Sequence, residues 1–152
     1  MFRGVSSLNL DTKGRIGVPK KYRGEIDDVC TGQMIVTIDP NDKCLLLYTL
    51  PEWEIIERKL AKLSTMKPQT RRLQRLLIGH ATDVEMDRQG RVLLPPPLRK
   101  FAGMDKAVVM VGMGNKFELW DEPHWNEKRE IWIEEDGLDE AEPDDEVLSL
   151  SI

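Results

Sequence analysis

The sequence has little of what would staple a small protein together or carry it into a membrane. Only two cysteines, Cys30 and Cys44, occur in 152 residues. They form no C-x-x-C pair, so neither a disulfide framework nor a thiolate metal cage is expected; they read as buried or incidental thiols of a reducing compartment. The two histidines, His80 and His124, have no ligand spacing to each other or to the cysteines. No apolar run approaches the roughly 20 residues that cross a bilayer, and Met1-Phe2-Arg3-Gly4 lacks the apolar core of a signal peptide. The phosphate-cradling and nucleophile motifs (P-loop, G-x-G-x-x-G, nucleophile elbow) are missing too. Together these absences lead us to expect a cytoplasmic protein with no membrane partner, no cofactor, no metal and no small-molecule substrate.

The net charge of −5 looks wrong for a nucleic-acid binder until it is mapped. From Asp121 onward there are 13 acidic and 2 basic residues, which leaves 20 basic (22 − 2) against 14 acidic (27 − 13) in residues 1–120. The first 23 residues hold Arg3, Lys13, Arg15, Lys20, Lys21 and Arg23 against Asp11 alone. Such asymmetry points to a basic working surface and an acidic tail. The length suits one compact domain, or two small halves sharing a core, with no staple required.

What dominates the chain is a repeat. Asp11-Thr12-Lys13-Gly14-Arg15-Ile16-Gly17-Val18-Pro19, ending in Tyr22-Arg23, returns as Asp87-Arg88-Gln89-Gly90-Arg91-Val92-Leu93-Leu94-Pro95, ending in Leu98-Arg99, every match 76 positions on (87 − 11). Asp opening and Gly closing a four-residue segment suit a type I turn that runs into a positive-φ glycine. Between apolar alternations (Leu8, Leu10 and Ile16, Val18; Val84, Met86 and Val92, Leu94) the expectation is a β-hairpin with a G1 bulge and a charged tip. Asp11, Gly14, Asp87 and Gly90 are its turn-forming residues. Prolines 19 and 95 end the strands, and short helices follow at about Lys20–Arg23 and Pro96–Ala102, with Gly24 and Gly103 as caps. The repeat continues with Gln33–Ile38 matching Lys106–Val111 at a spacing of 73, then Leu45–Tyr48 matching Phe117–Trp120 and Pro51–Trp53 matching Pro123–Trp125 at 72. The fold class expected is α+β.

Between the halves the spacing predicts helices. Trp53, Ile56, Leu60 and Leu63 share one face; after a break at Ser64-Thr65, Pro68 starts another helix with Leu73, Leu76 and Leu77 opposite Arg71, Arg72 and Arg75. A last helix is expected over Pro123–Asp136 with Trp125, Ile131 and Trp132 as its apolar residues. From Gly137 the chain turns acidic and is expected to be mobile, while Val147–Ile152 is apolar enough to dock. The resulting division is 5–52, first repeat; 53–80, helical insert; 81–124, second repeat; 125–152, C-terminal helix and acidic tail.

The duplicated D-x-x-G-R-[IV]-x-[VL]-P motif, the Leu-Tyr…Pro-Glu-Trp-Glu run and Gly-Asn-Lys-Phe-Glu-Leu-Trp resemble the MraZ family over roughly residues 1–136. Those are bacterial transcriptional regulators of the division and cell-wall gene cluster, related to the AbrB-like swapped-hairpin barrels. The resemblance implies an AbrB-like swapped-hairpin β-barrel made within one chain. It also implies a ring-shaped homo-oligomer, nucleoid-associated, that binds G-rich direct repeats of double-stranded DNA in its own promoter and represses its operon.

Arginine pairs bidentately with guanine O6 and N7, and a two-stranded ribbon can enter the major groove. Arg15 and Arg91 are therefore the candidates for guanines. Lys13 and Arg88 are candidates for flanking phosphates, and Arg3, Arg23 and Arg99 for positioning on the backbone. Asp11 and Asp87 would repel DNA, so capping the turn or orienting the arginine suits them better. The competing reading makes each Asp–Arg pair a brace across the turn, worth about 0–1 kcal/mol at a surface. Other functions fit less well. An aspartic-protease dyad would want Asp-Thr/Ser-Gly, not Asp-Thr-Lys-Gly. An oligomeric interaction or assembly protein without sequence-specific DNA binding is the alternative that the helical insert and acidic tail support. Antitoxins that share the barrel usually carry one copy of the motif.

Overall fold

The computed structural model describes residues 1–135, 146 and 149–150. The expected mobility of the acidic stretch and the docking of the apolar end both fall mainly outside the described residues. Two compact units are distinguished, Met1–Glu122 and Pro123–Ile152.

In the first unit the elements run β1 (Phe2–Asn9), β2 (Arg15–Gly17), α1 (Lys20–Cys30), β3 (Gln33–Ile38), β4 (Leu45–Thr49), α2 (Leu50–Ala61) and α3 (Pro68–Leu77), then β5 (Thr82–Glu85), β6 (Arg91–Leu93), α4 (Pro96–Phe101), β7 (Ala107–Gly114) and β8 (Phe117–Asp121). Six strands form one antiparallel sheet in the order β1-β7-β8-β4-β3-β5, and β2 and β6 form a separate two-stranded ribbon. The chain is thus α+β, with mixed strands and helices and a C-terminal helix, α5 (Glu122–Glu135).

The pairing corrects the local hairpin reading. The turns at Asp11–Gly14 and Asp87–Gly90 form, but the strands on either side of each do not ladder to one another. Instead β1 pairs with β7, β5 with β3, and β2 with β6, all across the two halves. Among the described residues only β3–β4 and β7–β8 are hairpins in the ordinary sense. Three-residue strands such as β2 and β6 cannot bury their apolar side chains alone; crossed, they place Ile16 and Val92 opposite each other, both fully inside.

The registers also reveal a pseudo-twofold relation. Ile16 faces Val92, its own counterpart 76 positions on, and Leu46 faces Glu118, its own counterpart 72 on. The relation of β3 to β7 is 74, since Gln33 faces Glu85 and Ala107 faces Asn9, which corrects the spacing of 73 read from the sequence. A one-residue slip moves every side chain to the opposite face, and apolar residues on both faces of β3 hide that slip from sequence comparison.

Alternation along the strands separates two cores. Met34, Val36 and Ile38 face Ile16, Val18, Ile26, Leu45, Leu47, Val92, Leu94, Val108, Met110, Phe117 and Leu119. On the other side of the sheet Ile35, Leu46 and Tyr48 pack with Trp53, Leu60 and Leu77 of the helical insert, and Thr37 donates its hydroxyl to the Leu77 carbonyl at 2.7 Å. Burial of Tyr48 raises its phenol to a pKa of about 12. Leu63, expected on the α2 face, lies past the end of that helix and is exposed. Helix α1 overruns its expected end at Arg23 and passes through Gly24. Its cap is Thr31, left-handed at φ 53°, followed by Gly32; Tyr22 and Ile26, both buried, keep the longer helix on the core. In α5, Trp125 and Trp132 meet edge to face at 5.9 Å.

Phe117 stacks on Phe2 at 4.3 Å and meets Tyr22 edge-on at 4.9 Å, joining β8 of one half to β1 and α1 of the other. Phe117→Ala is expected to destabilise the protein by about 3–5 kcal/mol, read as a shifted midpoint with unchanged slope in urea unfolding.

Candidate nucleic-acid interface

Each turn is built around its aspartate. Asp11 Oδ1 accepts the amides of Lys13 (2.9 Å) and Arg15 (2.8 Å), while Oδ2 accepts Arg15 Nε at 2.7 Å. Asp87 repeats the set with Gln89 (2.9 Å), Arg91 (2.8 Å) and Arg91 Nε at 3.0 Å. The backbone closes both turns, Gly14 donating to the Asp11 carbonyl and Gly90 to that of Asp87. The glycines take φ of 83° and 76°, left-handed values that a Cβ disfavours. These aspartates are exposed yet locked by donors. Mainly the Arg15 amide, assisted by that residue's side chain and the Lys13 amide, holds the Asp11 carboxyl down at about 2. Asp87 is lowered by the same contacts, the Arg91 amide first.

The arginines are not isolated at two tips, as the hairpin reading had them. They head β2 and β6, which pair with each other: Arg15 lies opposite Leu93 and Arg91 opposite Gly17. Because Ile16 and Val92 point inward, the alternate residues Arg15, Gly17, Arg91 and Leu93 lie on the outward face of one ribbon. The two arginines are diagonal neighbours there, positions separated by about 7–8 Å in an antiparallel ladder. Each Nε is taken by its aspartate, and the two side chains are partly exposed, 26% at Arg15 and 35% at Arg91.

The other sequence candidates fall into three places. Lys13 and Arg88 lie within the turns and are exposed. Arg23 and Arg99 are half-buried, donating Nε to the carbonyls of Val18 (2.7 Å) and Leu94 (3.0 Å). Arg3 is not brought to the turns. It sits near the start of β1, whose last residue Asn9 precedes the first turn, about 20 Å away at the rise of an extended strand. Two arginines of α3 donate to backbone carbonyls, Arg71 to that of Thr65 and Arg72 to that of Pro40. What the sequence reading missed is the contact of each turn glycine with an arginine of the opposite half; the shared spacing of 76 for Gly14/Gly90 and Arg23/Arg99 was its only trace.

Among the described residues one group has the makings of a metal site, Asp39, Cys44 and Glu118, whose ligand atoms lie within 4.8 Å of one another. Burial first, then Glu118 and Asp39, pushes the Cys44 thiol well up, and Asp39 Oδ2 lies 3.8 Å from its sulfur. Asp39 Oδ1 accepts the amides of Asn41 and Asp42, and Glu118 accepts the Trp120 indole at 3.0 Å. The group closes the β3–β4 loop onto β8, and a protonated thiol is a poor ligand. Among the described residues no helix is long and apolar enough to cross a membrane.

Because the Asp11 carboxyl is lowered from its ordinary 3.8, whatever stability its ionised form adds is present above pH 4 and is lost as pH falls through about 2. A side-chain NMR titration is expected to place the Asp11 midpoint near 2, and Arg15→Ala is expected to raise it.

The comparisons with known proteins agree with this duplicated arrangement. The family model described as "MraZ protein, putative antitoxin-like" matches twice, at residues 1–76 and 77–144. Over 152 residues, all of both chains, the sequence is 55% identical to a protein of Thioalkalivibrio sulfidiphilus and 54% identical to one of Enterobacter sp.. It is 54% identical over 147 residues to one of Methylococcus capsulatus, covering 95% of this chain and 96% of that one. All three bear the name transcriptional regulator MraZ. The chain belongs to the MraZ family, a family of transcriptional regulators and not of enzymes.

Proposed function

We propose that this chain is a sequence-specific DNA-binding transcriptional regulator that reads guanines with Arg15 and Arg91. The observation that carries the proposal is the placement of both arginines on one outward ribbon face, each with its Nε held by a turn aspartate. A ribbon of this kind fits the major groove, and the Nη pair of an oriented guanidinium matches guanine O6 and N7. Asp11 and Asp87 then orient the arginines, so the brace and the reader are one device. Lys13 and Arg88 flank the face and supply phosphate contacts. The relatives' name, transcriptional regulator, supports the same reading.

The finer picture follows from the family resemblance. The cross-half pairing of β2 with β6 supports an AbrB-like swapped-hairpin barrel within one chain, with repeats at 5–52 and 81–124, a helical insert at 53–80 and a C-terminal helix and tail at 125–152. A single ribbon makes a small footprint, and a closed ring of copies would present ribbons at regular spacing to G-rich direct repeats, with high effective concentration for each added contact. Repression of the chain's own division and cell-wall operon, in the cytoplasm at the nucleoid, is the role proposed.

Fluorescence anisotropy on DNA from upstream of the protein's own gene, with a scrambled control, tests this. Arg15→Ala and Arg91→Ala are each expected to weaken specific binding by about 1–3 kcal/mol, and to bring it towards the control. Lys13→Ala and Arg88→Ala are expected to weaken both DNAs alike and to flatten the dependence on log salt by about one unit each. Undiminished selectivity in the Arg15→Ala, Arg91→Ala double variant would reduce both arginines to turn braces.

A further inference from the structure

Arg23 and Arg99 occupy equivalent places that a phosphate contact does not explain. The Leu94 amide donates to the Gly14 carbonyl at 3.0 Å, and the Leu94 carbonyl accepts Arg99 Nε at 3.0 Å. The Arg99 guanidinium then lies over Gly14 so closely that a Cβ there would stand 2.6 Å from its Cζ. The other half mirrors this. Val18 donates to the Gly90 carbonyl at 2.8 Å and accepts Arg23 Nε at 2.7 Å, and a Cβ on Gly90 would stand 2.1 Å from Arg23 Nε. Each turn is thus built by one half and covered by an arginine of the other.

We propose that Arg23 and Arg99 are positioning residues acting across the halves: Arg99 fixes the turn that presents Arg15, and Arg23 fixes the turn that presents Arg91. The functional part rests on the DNA-reading role proposed above for those two arginines. The glycines are required twice over, by their left-handed φ and by the guanidinium that fills the space a side chain would take. Because one donor of each guanidinium is held on a carbonyl while the group itself lies against the turn glycine, the turn beneath cannot shift toward it. Lysine has neither the planar fork nor the second donor in fixed geometry, so it cannot hold the carbonyl and cover the glycine together. At a phosphate, by contrast, lysine serves as a point charge. The two roles therefore predict opposite outcomes for Arg→Lys.

Two readouts on the full-length protein decide it. Without DNA, amide hydrogen exchange in Arg99→Ala and Arg99→Lys is expected to quicken at Gly14 and Arg15 by roughly 2- to 10-fold, the net worth of one hydrogen bond, with Gly90 and Arg91 unchanged. Arg23→Ala and Arg23→Lys are expected to show the reverse. Equal acceleration in both turns, or in neither, overturns the proposal. On promoter DNA, Arg99→Lys is expected to lose selectivity as Arg99→Ala does, with an unchanged salt slope. The Arg15→Ala, Arg99→Ala double variant is expected to bind about threefold or more better than the product of the single losses, and Arg91→Ala with Arg99→Ala to follow that product. Rescue by lysine with a flattened slope in Arg99→Ala would make Arg99 a phosphate contact and overturn the proposal. If Arg15 and Arg91 prove dispensable for DNA, the reading of the interface fails, while the exchange result still decides the coupling between halves.

Discussion

The structure depends on a three-residue ladder. The strands β2 and β6 are too short to persist alone, yet each carries a fully buried apolar residue of the repeated motif, Ile16 and Val92. Burying these requires each strand to find the other, which ties the two halves together. The same crossing sets where the charged residues go. With Ile16 and Val92 inward, period-two geometry leaves Arg15 and Arg91 on the outer face. Packing in the core and the outward placement of the arginines are therefore one constraint seen from two sides.

Much of this was legible in the chain. The motif repeated every 76 residues, its prolines and glycines, and the alternation of Ile16/Val18 and Val92/Leu94 identified the turns, the strands and the helices that follow. The partner of each strand was not legible from local pattern. A turn between two apolar alternations predicts a hairpin, and nothing in the spacing of Leu8, Leu10, Ile16 and Val18 says that β1 ladders with β7 and not with β2. Strand pairing is decided by total burial, here by the sheet order β1-β7-β8-β4-β3-β5. The end of α1 was missed because Gly24 looked like a cap, while burial of Tyr22 and Ile26 carried the helix to Cys30.

The candidate site shows the same division. Asp11, Gly14 and Arg15 were visible as a unit because their chemistry is local, within five residues of sequence. The contact of Arg99 with Gly14 spans the halves, and in sequence it survives only as a shared spacing. Electrostatics, too, is local: the Arg15 amide first, then the Arg15 side chain and the Lys13 amide, hold Asp11 down at about 2. The carboxylate is an acceptor that orients Arg15, and the lowered pKa extends that role into acid, below the range in which an ordinary aspartate would protonate. Under the role proposed for Arg15, an acidic residue beside it is compatible with DNA binding, since it fixes the fork while its charge is offset by the donors around it.

The claim that the outward ribbon face reads guanines is tested most directly by methylation interference on the promoter fragment. Methylating guanine N7 removes the major-groove acceptor that an arginine fork needs. A few N7-methylated guanines in each repeat are expected to block the unaltered protein, and Arg15→Ala is expected to become indifferent to a distinct subset of them. Binding that tolerates every N7 methyl group, and is blocked only by modified phosphates or by adenine N3 in the minor groove, would contradict it.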